Sequence, residues 1–208
     1  MTPVMNDRAT VGKVKKMNLK DYFEKAPPYE AFYQKAEKNR DILEEVYADP
    51  NLMPSDLKFF AEVAPLNILA IGEDWCPDVV HTVPRWARLA ERVDGIAFRI
   101  LTKSETPELI EQHLGPGNKE RIPLYIFLNQ EGKRILYWSG RARVADEWVL
   151  ARRNRRVYAD FSQEEMEQFG HDFRVMYRER FRRENFQEIK DALAVAFAIP
   201  FDAGLDPF

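Results

Sequence analysis

The stretch Glu73-Asp74-Trp75-Cys76-Pro77-Asp78-Val79-Val80 decides how the chain folds around it, because it sets the only cysteine between two regular patterns. Before it, residues 66–71 form a short apolar run that predicts a buried strand. After it, apolar residues recur at helical spacing, and Pro77 suits the first turn of a helix. Cys76 therefore lies at a predicted helix N-terminus, where the helix dipole favours the thiolate, the nucleophilic form.

Strands and helices alternate on either side of this turn. The predicted elements are a strand at 66–72, a helix at 77–92, a strand at 96–101, a helix at 106–114, and strands at 123–128 and 133–138. Because a helix joins the first two strands, we expect them to be parallel with a right-handed crossover. The last two strands should form a hairpin with its turn at residues 129–132. This pattern predicts an α/β core.

Four further features follow one another in this core: the pair Trp75-Cys76, Pro84, the pair Ile122-Pro123, and two glycines, Gly132 and Gly140. In this order they resemble the thioredoxin-like proteins, and especially a bacterial branch with Glu-Asp-Trp-Cys-x-Asp at the strand-to-helix turn. The resemblance covers residues 65–141. It implies a thioredoxin-like fold, a four-stranded mixed sheet flanked by helices with the strand order second, first, third, fourth.

The resemblance also implies where the chemistry lies. Cys76 would be the attacking thiol, and a cis bond between Ile122 and Pro123 would set the backbone of Ile122 beside its sulfur. The substrate would then bind to one surface around this thiol, formed by Trp75, Pro77, Asp78, Ile122 and Pro123.

Two departures from the family pattern change the expected activity. Val79 stands where the family's Cys-x-x-Cys motif has its second cysteine, and Ala70 stands where many relatives carry a buried acid. A dithiol cycle within this chain is therefore impossible.

Composition narrows the class of protein. With 208 residues and 45% hydrophobic residues, we expect one compact domain with extensions. A net charge of −3 indicates no nucleic-acid or membrane partner. One cysteine excludes an internal disulfide and fits a reducing compartment, so we expect a cytoplasmic protein. The expected divisions are a flexible tail (1–17), an N-terminal helical extension (18–64), the thioredoxin-like core (65–141) and a C-terminal helical extension (142–208).

Both extensions are predicted to be helical. Residues 18–25, 29–48 and 55–63 show short helical patterns, and residues 144–156 form a further one. Ser162 and Glu165 form a capping box that starts a helix of about 35 residues. Such a helix, about 50 Å long, either bends near Gly170 to cover its own core or meets a second subunit in a homodimer. The arginines along these segments are expected to form a solvated face, at positions 152, 153, 155, 156, 178, 180, 182 and 183.

Other chemistry has little support in the sequence. His81, His113 and His171 are far apart, so we expect no metal site, and no motif indicates a cofactor. The negative charge of Asp78 interacts favourably with the helix dipole, yet the same charge opposes ionisation of a neighbouring thiol. These influences are similar in size and opposite in sign, so the pKa of Cys76 stays open.

Two functions remain from different classes. In the first, Cys76 acts as a monothiol oxidoreductase on a protein or low-molecular-weight disulfide, and an external thiol completes the cycle. In the second, the chain is a thioredoxin-like binding or scaffold module whose cysteine takes no part. An exposed, reactive Cys76 favours the first function, and a buried, inert one favours the second.

Overall fold

A computed structural model describes residues 18–115, 117, 119–154 and 156–198 of the chain. The predicted flexible tail at residues 1–17 lies outside the described residues. The helices are α1 (Leu19–Lys25), α2 (Tyr29–Lys35), α3 (Arg40–Ala48), α4 (Pro54–Val63), α5 (Pro77–Arg92), α6 (Pro107–Gln112), α7 (Arg143–Arg153), α8 (Gln163–Met176) and α9 (Arg182–Ala198). The strands are β1 (Leu66–Ile71), β2 (Ile96–Leu101), β3 (Leu124–Leu128) and β4 (Arg134–Ser139).

The four strands form one mixed sheet in the order β2-β1-β3-β4. β1 pairs with β2 in parallel, so that Leu66 lies opposite Ile96, whereas β3 is antiparallel to both β1 and β4. The predicted strand order is confirmed, as is the fold class, a four-stranded mixed sheet flanked by helices with helical extensions. The order places the end of β1, where the chain turns toward Cys76, in the middle of the sheet.

Alternate residues of the strands feed two cores, because successive side chains point to opposite faces of a sheet. Ile68 and Ala70 face the larger core, which includes Trp86 and Phe186 from the helices on that side. Leu69 and Ile71 face a smaller core on the other side, closed by α1 and α6. All four of these β1 side chains are fully buried. The sheet is therefore covered on both faces, as a central strand in this fold requires.

The helix expected over residues 29–48 is in fact two helices. α2 ends at Lys35, and α3 begins at Arg40 after Asn39, whose φ of 52° is left-handed. The intervening backbone N–H groups donate to the carboxylate of Asp74, which comes from the turn before Cys76. The stripe of apolar residues continues through the break, so local periodicity could not reveal it.

The C-terminal helix follows the capping box at Ser162, as predicted. The bend expected near Gly170 is wrong, because Gly170 lies within regular α8 and the irregularity is a π-helical turn at Tyr177–Phe181. Beyond this turn, α9 buries Phe186, Ile189 and Leu193 against the main core. The helix thus packs on its own core.

The expected solvated arginine face is only partly correct. Side chains of Arg152, Arg178 and Arg180 are more than half exposed, in agreement with that prediction. Arg182 and Arg183 are only 11% and 29% exposed, because they form ion pairs with Glu45 and Asp56 from the N-terminal extension. Arg155 lies outside the described residues.

Candidate active site

The turn that carries Cys76 is shaped by close packing at its two ends. Gly72 follows β1, and a Cβ at this position would come within 2.8 Å of a methyl group of Val79. Only glycine allows the strand to approach the helix so closely. Cys76 is the N-cap residue of α5 and Pro77 is the first helical residue, as the sequence predicts. Val79, fully buried, fills the position of the family's second cysteine.

The N-terminal extension ties down this turn. The Asp74 carboxylate accepts hydrogen bonds from the backbone N–H groups of Glu37 and Lys38 at 2.7 and 2.9 Å. The side-chain amide of Asn39 donates to the Asp74 carbonyl oxygen at 2.8 Å. These bonds immobilise the residue two positions before Cys76. The extension is therefore part of the structure that positions the thiol.

The predicted site residues lie at one end of the sheet. Cys76 Sγ is 3.7 Å from the carbonyl oxygen of Ile122, and the Ile122–Pro123 peptide bond is cis. Cys76 is 7% exposed, whereas Trp75 beside it is 53% exposed. The structure thus brings Cys76 and Ile122 together and leaves an exposed indole on the same turn.

Asp78 is buried rather than displayed to solvent. It is 3% exposed, its carboxylate pairs with Arg141 at 2.7 Å, and it accepts a hydrogen bond from the hydroxyl of Tyr177. Burial raises the pKa of Asp78, and the charge of Arg141 opposes that rise. Ala70 supplies no acid from β1, so the buried carboxyl group beside this cysteine comes from the helix instead.

The same surroundings set the protonation of the thiol. Burial, followed by the charge of Asp78, raises the pKa of Cys76 to about 12. Hydrogen bonds from the backbone N–H groups of Asp78 and Val79 act in the other direction, but they are outweighed. The helix N-terminus therefore does not make Cys76 a thiolate at neutral pH, and the question left open by the sequence is decided by Asp78 and burial.

His81, the histidine nearest to Cys76 in sequence, serves the packing of this region. Its ring stacks on Tyr177 with centroids 4.5 Å apart, and Arg182 donates to its Nδ1 at 3.0 Å. Burial lowers the pKa of His81 to about 3, so the ring is neutral at physiological pH. Sequence reasoning missed Arg141 and Tyr177, since nothing local indicates that they reach Asp78.

A cavity of about 470 Å³ opens beside the thiol. It lies between the turn that bears Cys76, the segment before β3 and helix α7. Cys76, Asp78 and Ile122 line it, while Trp75 and Pro77 do not. Its remaining lining residues are Lys119, Glu120, Arg121, Gly140, Arg141, Asp146, Val149, Leu150, Arg153 and Tyr158.

The described part of the chain offers neither a metal site nor a helix that could cross a membrane. No three His, Cys, Asp or Glu side chains gather there closely enough to hold a metal ion. None of the described helices combines the length and the apolar character needed to cross a membrane.

Comparison with known proteins agrees with this geometry. The profile of the family described as Thioredoxin matches residues 26–160, well over half of the chain, so the protein belongs to the thioredoxin family. The match begins before, and ends after, the expected core at 65–141. No curated protein matches the sequence.

Two solved structures share the fold. One is a protein of unknown function from Pseudomonas aeruginosa, with 14% identity over 88% of this chain and 98% of that one and a TM-score of 0.59. The other is an HIV epitope scaffold, with 15% identity over 88% of this chain and 100% of that one and a TM-score of 0.59. Identities this low establish the fold alone.

Proposed function

We propose that this protein is a monothiol thiol-disulfide oxidoreductase that acts through Cys76 and uses an external thiol to complete its cycle. One observation carries the proposal: the only thiol of the chain lies at the N-cap of α5, beside the carbonyl of Ile122, and lines a cavity of small-molecule size. A buried valine at position 79 leaves the chain without a resolving thiol. The resolving thiol therefore has to come from a second molecule.

The proposed reaction has two exchange steps. Cys76 Sγ attacks one sulfur of a disulfide, the substrate S–S bond breaks, and the proton of the Cys76 thiol goes to the departing thiol. Cys76 is then held in a mixed disulfide. A second external thiol attacks the substrate sulfur of this mixed disulfide, restores the Cys76 thiol and leaves with the bound group as a new disulfide.

The raised pKa of Cys76 gives this cycle a particular character. Only a small fraction of the thiol is ionised at neutral pH, so the first attack is slow and accelerates as the pH rises. A thiolate of high pKa is also a poor leaving group, so the mixed disulfide is long-lived unless excess thiol is present. We infer that the protein holds its substrate in a long-lived mixed disulfide and is not a rapid reductant of disulfides.

The residues around the thiol take supporting roles in the proposal. Ile122 contacts the substrate from the wall of the cavity, the exposed Trp75 and Pro77 extend the binding surface outside it, and the buried Pro123 holds Ile122 in place behind it. Asp78 controls the ionisation of Cys76. We keep the expected divisions at 18–64, 65–141 and 142–208 as the proposed domain organisation. A single cysteine in 208 residues supports a cytoplasmic location, which is also a proposal.

The test uses a neutral disulfide, bis(2-hydroxyethyl) disulfide, with intact-mass detection. We expect one adduct on the folded protein, its removal by added 2-mercaptoethanol, and no adduct on the Cys76→Ser variant. The rate of adduct formation should rise about tenfold per pH unit between neutral and alkaline pH, following the thiolate fraction. Sustained reduction of a protein disulfide without added thiol would contradict the monothiol mechanism.

A variant with a second cysteine tests directly whether the mixed disulfide persists because the chain lacks a resolving thiol. Val79→Cys restores the family's Cys-x-x-Cys spacing next to Cys76, and we expect its mixed disulfide to collapse into a bond between the two cysteines. The same neutral disulfide then leaves no adduct on the variant, which instead loses two titratable thiols. A Val79→Ala variant, which makes a similar space in the core without a thiol, should still accumulate the adduct.

One observation favours a second function, a non-catalytic binding module. Cys76 is only 7% exposed and its pKa is raised to about 12, as expected of an inert thiol. In that case the disulfide reacts with Cys76 only after unfolding in urea, and native protein shows no adduct at any pH at which it stays folded.

A further inference from the structure

The cavity beside Cys76 has the dimensions of a small-molecule site. Its volume of about 470 Å³ falls within the usual range for ligand pockets. Val149 and Leu150 of α7 supply apolar surface, and Cys76 is among the other lining residues. A ligand held in this space would thus be next to the only thiol of the chain.

The cationic side chains that line the cavity outnumber the carboxylates that line it. The lining holds four cationic side chains and three carboxylates. Each carboxylate already has a cationic partner, and only two of those partners belong to the lining. The pairs are Asp78 with Arg141, Asp146 with Arg121, and Glu120 with Lys103, each at 2.7 Å.

Two lining cations remain for a ligand. In the described part of the chain, neither Lys119 nor Arg153 has a carboxylate within ion-pairing distance. Arg153 donates through Nε to the carbonyl oxygen of Arg156 at 2.9 Å, and its guanidinium lies 4.7 Å from the centre of the Tyr158 ring. These contacts hold the guanidinium in place, and none of the described residues accepts a hydrogen bond from its terminal N–H groups, which can therefore bind an anion.

We propose that the thiol partner of Cys76 is an anionic low-molecular-weight disulfide or thiol whose carboxylate groups are bound by Lys119 and Arg153. The inference rests on the proposed function and names its substrate class. Because the three lining carboxylates are already paired, Lys119 and Arg153 give the cavity a surplus of positive charge, which favours an anionic ligand. The exchange is the one written above: the ligand S–S bond breaks, a Cys76–ligand bond forms, and the proton leaves with the other half.

The test compares three disulfides of similar length that differ in charge: 3,3′-dithiodipropionate, bis(2-hydroxyethyl) disulfide and cystamine. We expect adduct formation on Cys76, at about pH 8, to be fastest for the dianion and slowest for the dication. The Arg153→Gln variant should lower the ratio of the dianion rate to the neutral rate about fivefold to tenfold. Arg152→Gln is the matched control, because it removes the same charge from the same helix outside the cavity and should keep the ratio.

A second measurement separates this inference from the proposed function. The Cys76→Ser variant cannot exchange, so calorimetry with 3,3′-dithiodipropionate and with cystamine reports on the cavity alone. Binding of the dianion but not of the dication supports the ligand class, even if the native protein forms no adduct and the proposed function fails. Equal adduct rates for all three disulfides, or equal losses in the Arg152 and Arg153 variants, would overturn the inference and leave the exchange function intact.

Discussion

Two buried aspartates of this protein, Asp56 and Asp78, differ in the number of cationic side chains around them, and their pKa values are shifted in opposite directions. Asp56, at the start of α4, is fully buried and contacts Arg183, Lys190 at 3.0 Å and Arg85 at 3.8 Å. Burial alone would raise its pKa, but the hydrogen bonds from Arg183, the Met53 N–H and Lys190 together lower it.

Asp78 has one cationic partner, Arg141, and the hydroxyl of Tyr177, and its pKa is raised. The number of cations around each carboxyl group thus sets the direction of its pKa shift. The charge at Asp56 joins the two helical extensions, whereas the carboxyl group at Asp78 is under-compensated and lies beside the thiol. The Asp56 cluster, with several cations, therefore stabilises the fold, whereas the Asp78 carboxyl group, with one cationic partner, affects the ionisation of the neighbouring thiol.

The largest expected effect follows from removing the Asp56 charge. Asp56→Asn leaves three cations without a carboxylate, and one of them, Arg85, has a side chain only 3% exposed. We expect a loss of about 3–5 kcal/mol in the free energy of unfolding, measured by urea denaturation at neutral pH. The control is Glu62→Gln, which removes an exposed ion pair with Lys58 and should cost less than about 0.5 kcal/mol.

The matched change at the second site should cost less. Asp78→Asn removes the partner of only one cation, Arg141, which is 22% exposed and keeps a second carboxylate, that of Asp146, at 3.8 Å. Water and Asp146 can therefore take over part of the lost ion pair. We expect a loss of about 2 kcal/mol in the same urea experiment. A cost equal to that of Asp56→Asn would show that the two clusters do not differ as described.

The pH dependence of these two costs should have opposite signs. Asp56, with its lowered pKa, contributes stability that is present above its unfolded pKa of about 3.9 and is lost as the pH falls through the folded pKa. Asp78, with its raised pKa, contributes stability that is lost as the pH rises from about 3.9 through the folded pKa. When unfolding in urea is measured at progressively lower pH, the loss of unfolding free energy caused by Asp56→Asn should therefore become smaller, and the loss caused by Asp78→Asn should become larger.

The smallest expected effect concerns one hydroxyl group. Tyr177→Phe removes a donor to Asp78 but keeps the ring that stacks on His81. We expect a loss of about 1 kcal/mol in the free energy of unfolding. Combining this change with Asp78→Asn should cost less than the two single losses added, because the hydroxyl has then lost its carboxylate partner. Strict additivity would mean that the bond contributes nothing to the cluster.

The sequence predicts well what depends on local pattern. The bounds of α5 and β2 agree with those expected from apolar periodicity, and the capping box at Ser162 starts α8. The break at Asn39 and the π-helical turn at Tyr177 were missed, because the apolar stripe runs through both.

The site was harder to predict than the core. The turn at Cys76 is a local motif, and the resemblance to the family identified it. The environment of the thiol is not local: Tyr177 is 99 residues from Asp78 in sequence, and Arg183 is 127 residues from Asp56. Only the folded chain brings these charges together, so the sequence alone could not give the direction of the Cys76 pKa shift.

The central claim is that Cys76 is a protonated thiol whose ionisation is opposed by burial and by Asp78. The most direct test is the rate of Cys76 alkylation by iodoacetamide against pH, for the native protein, for Asp78→Asn and for the control Glu62→Gln. We expect the rate in the native protein and in the control to keep rising well above the ordinary thiol pKa of about 8.5, and the rise in Asp78→Asn to begin at lower pH. A native midpoint at or below about 8.5, or an Asp78→Asn profile identical to the native one, would contradict this claim.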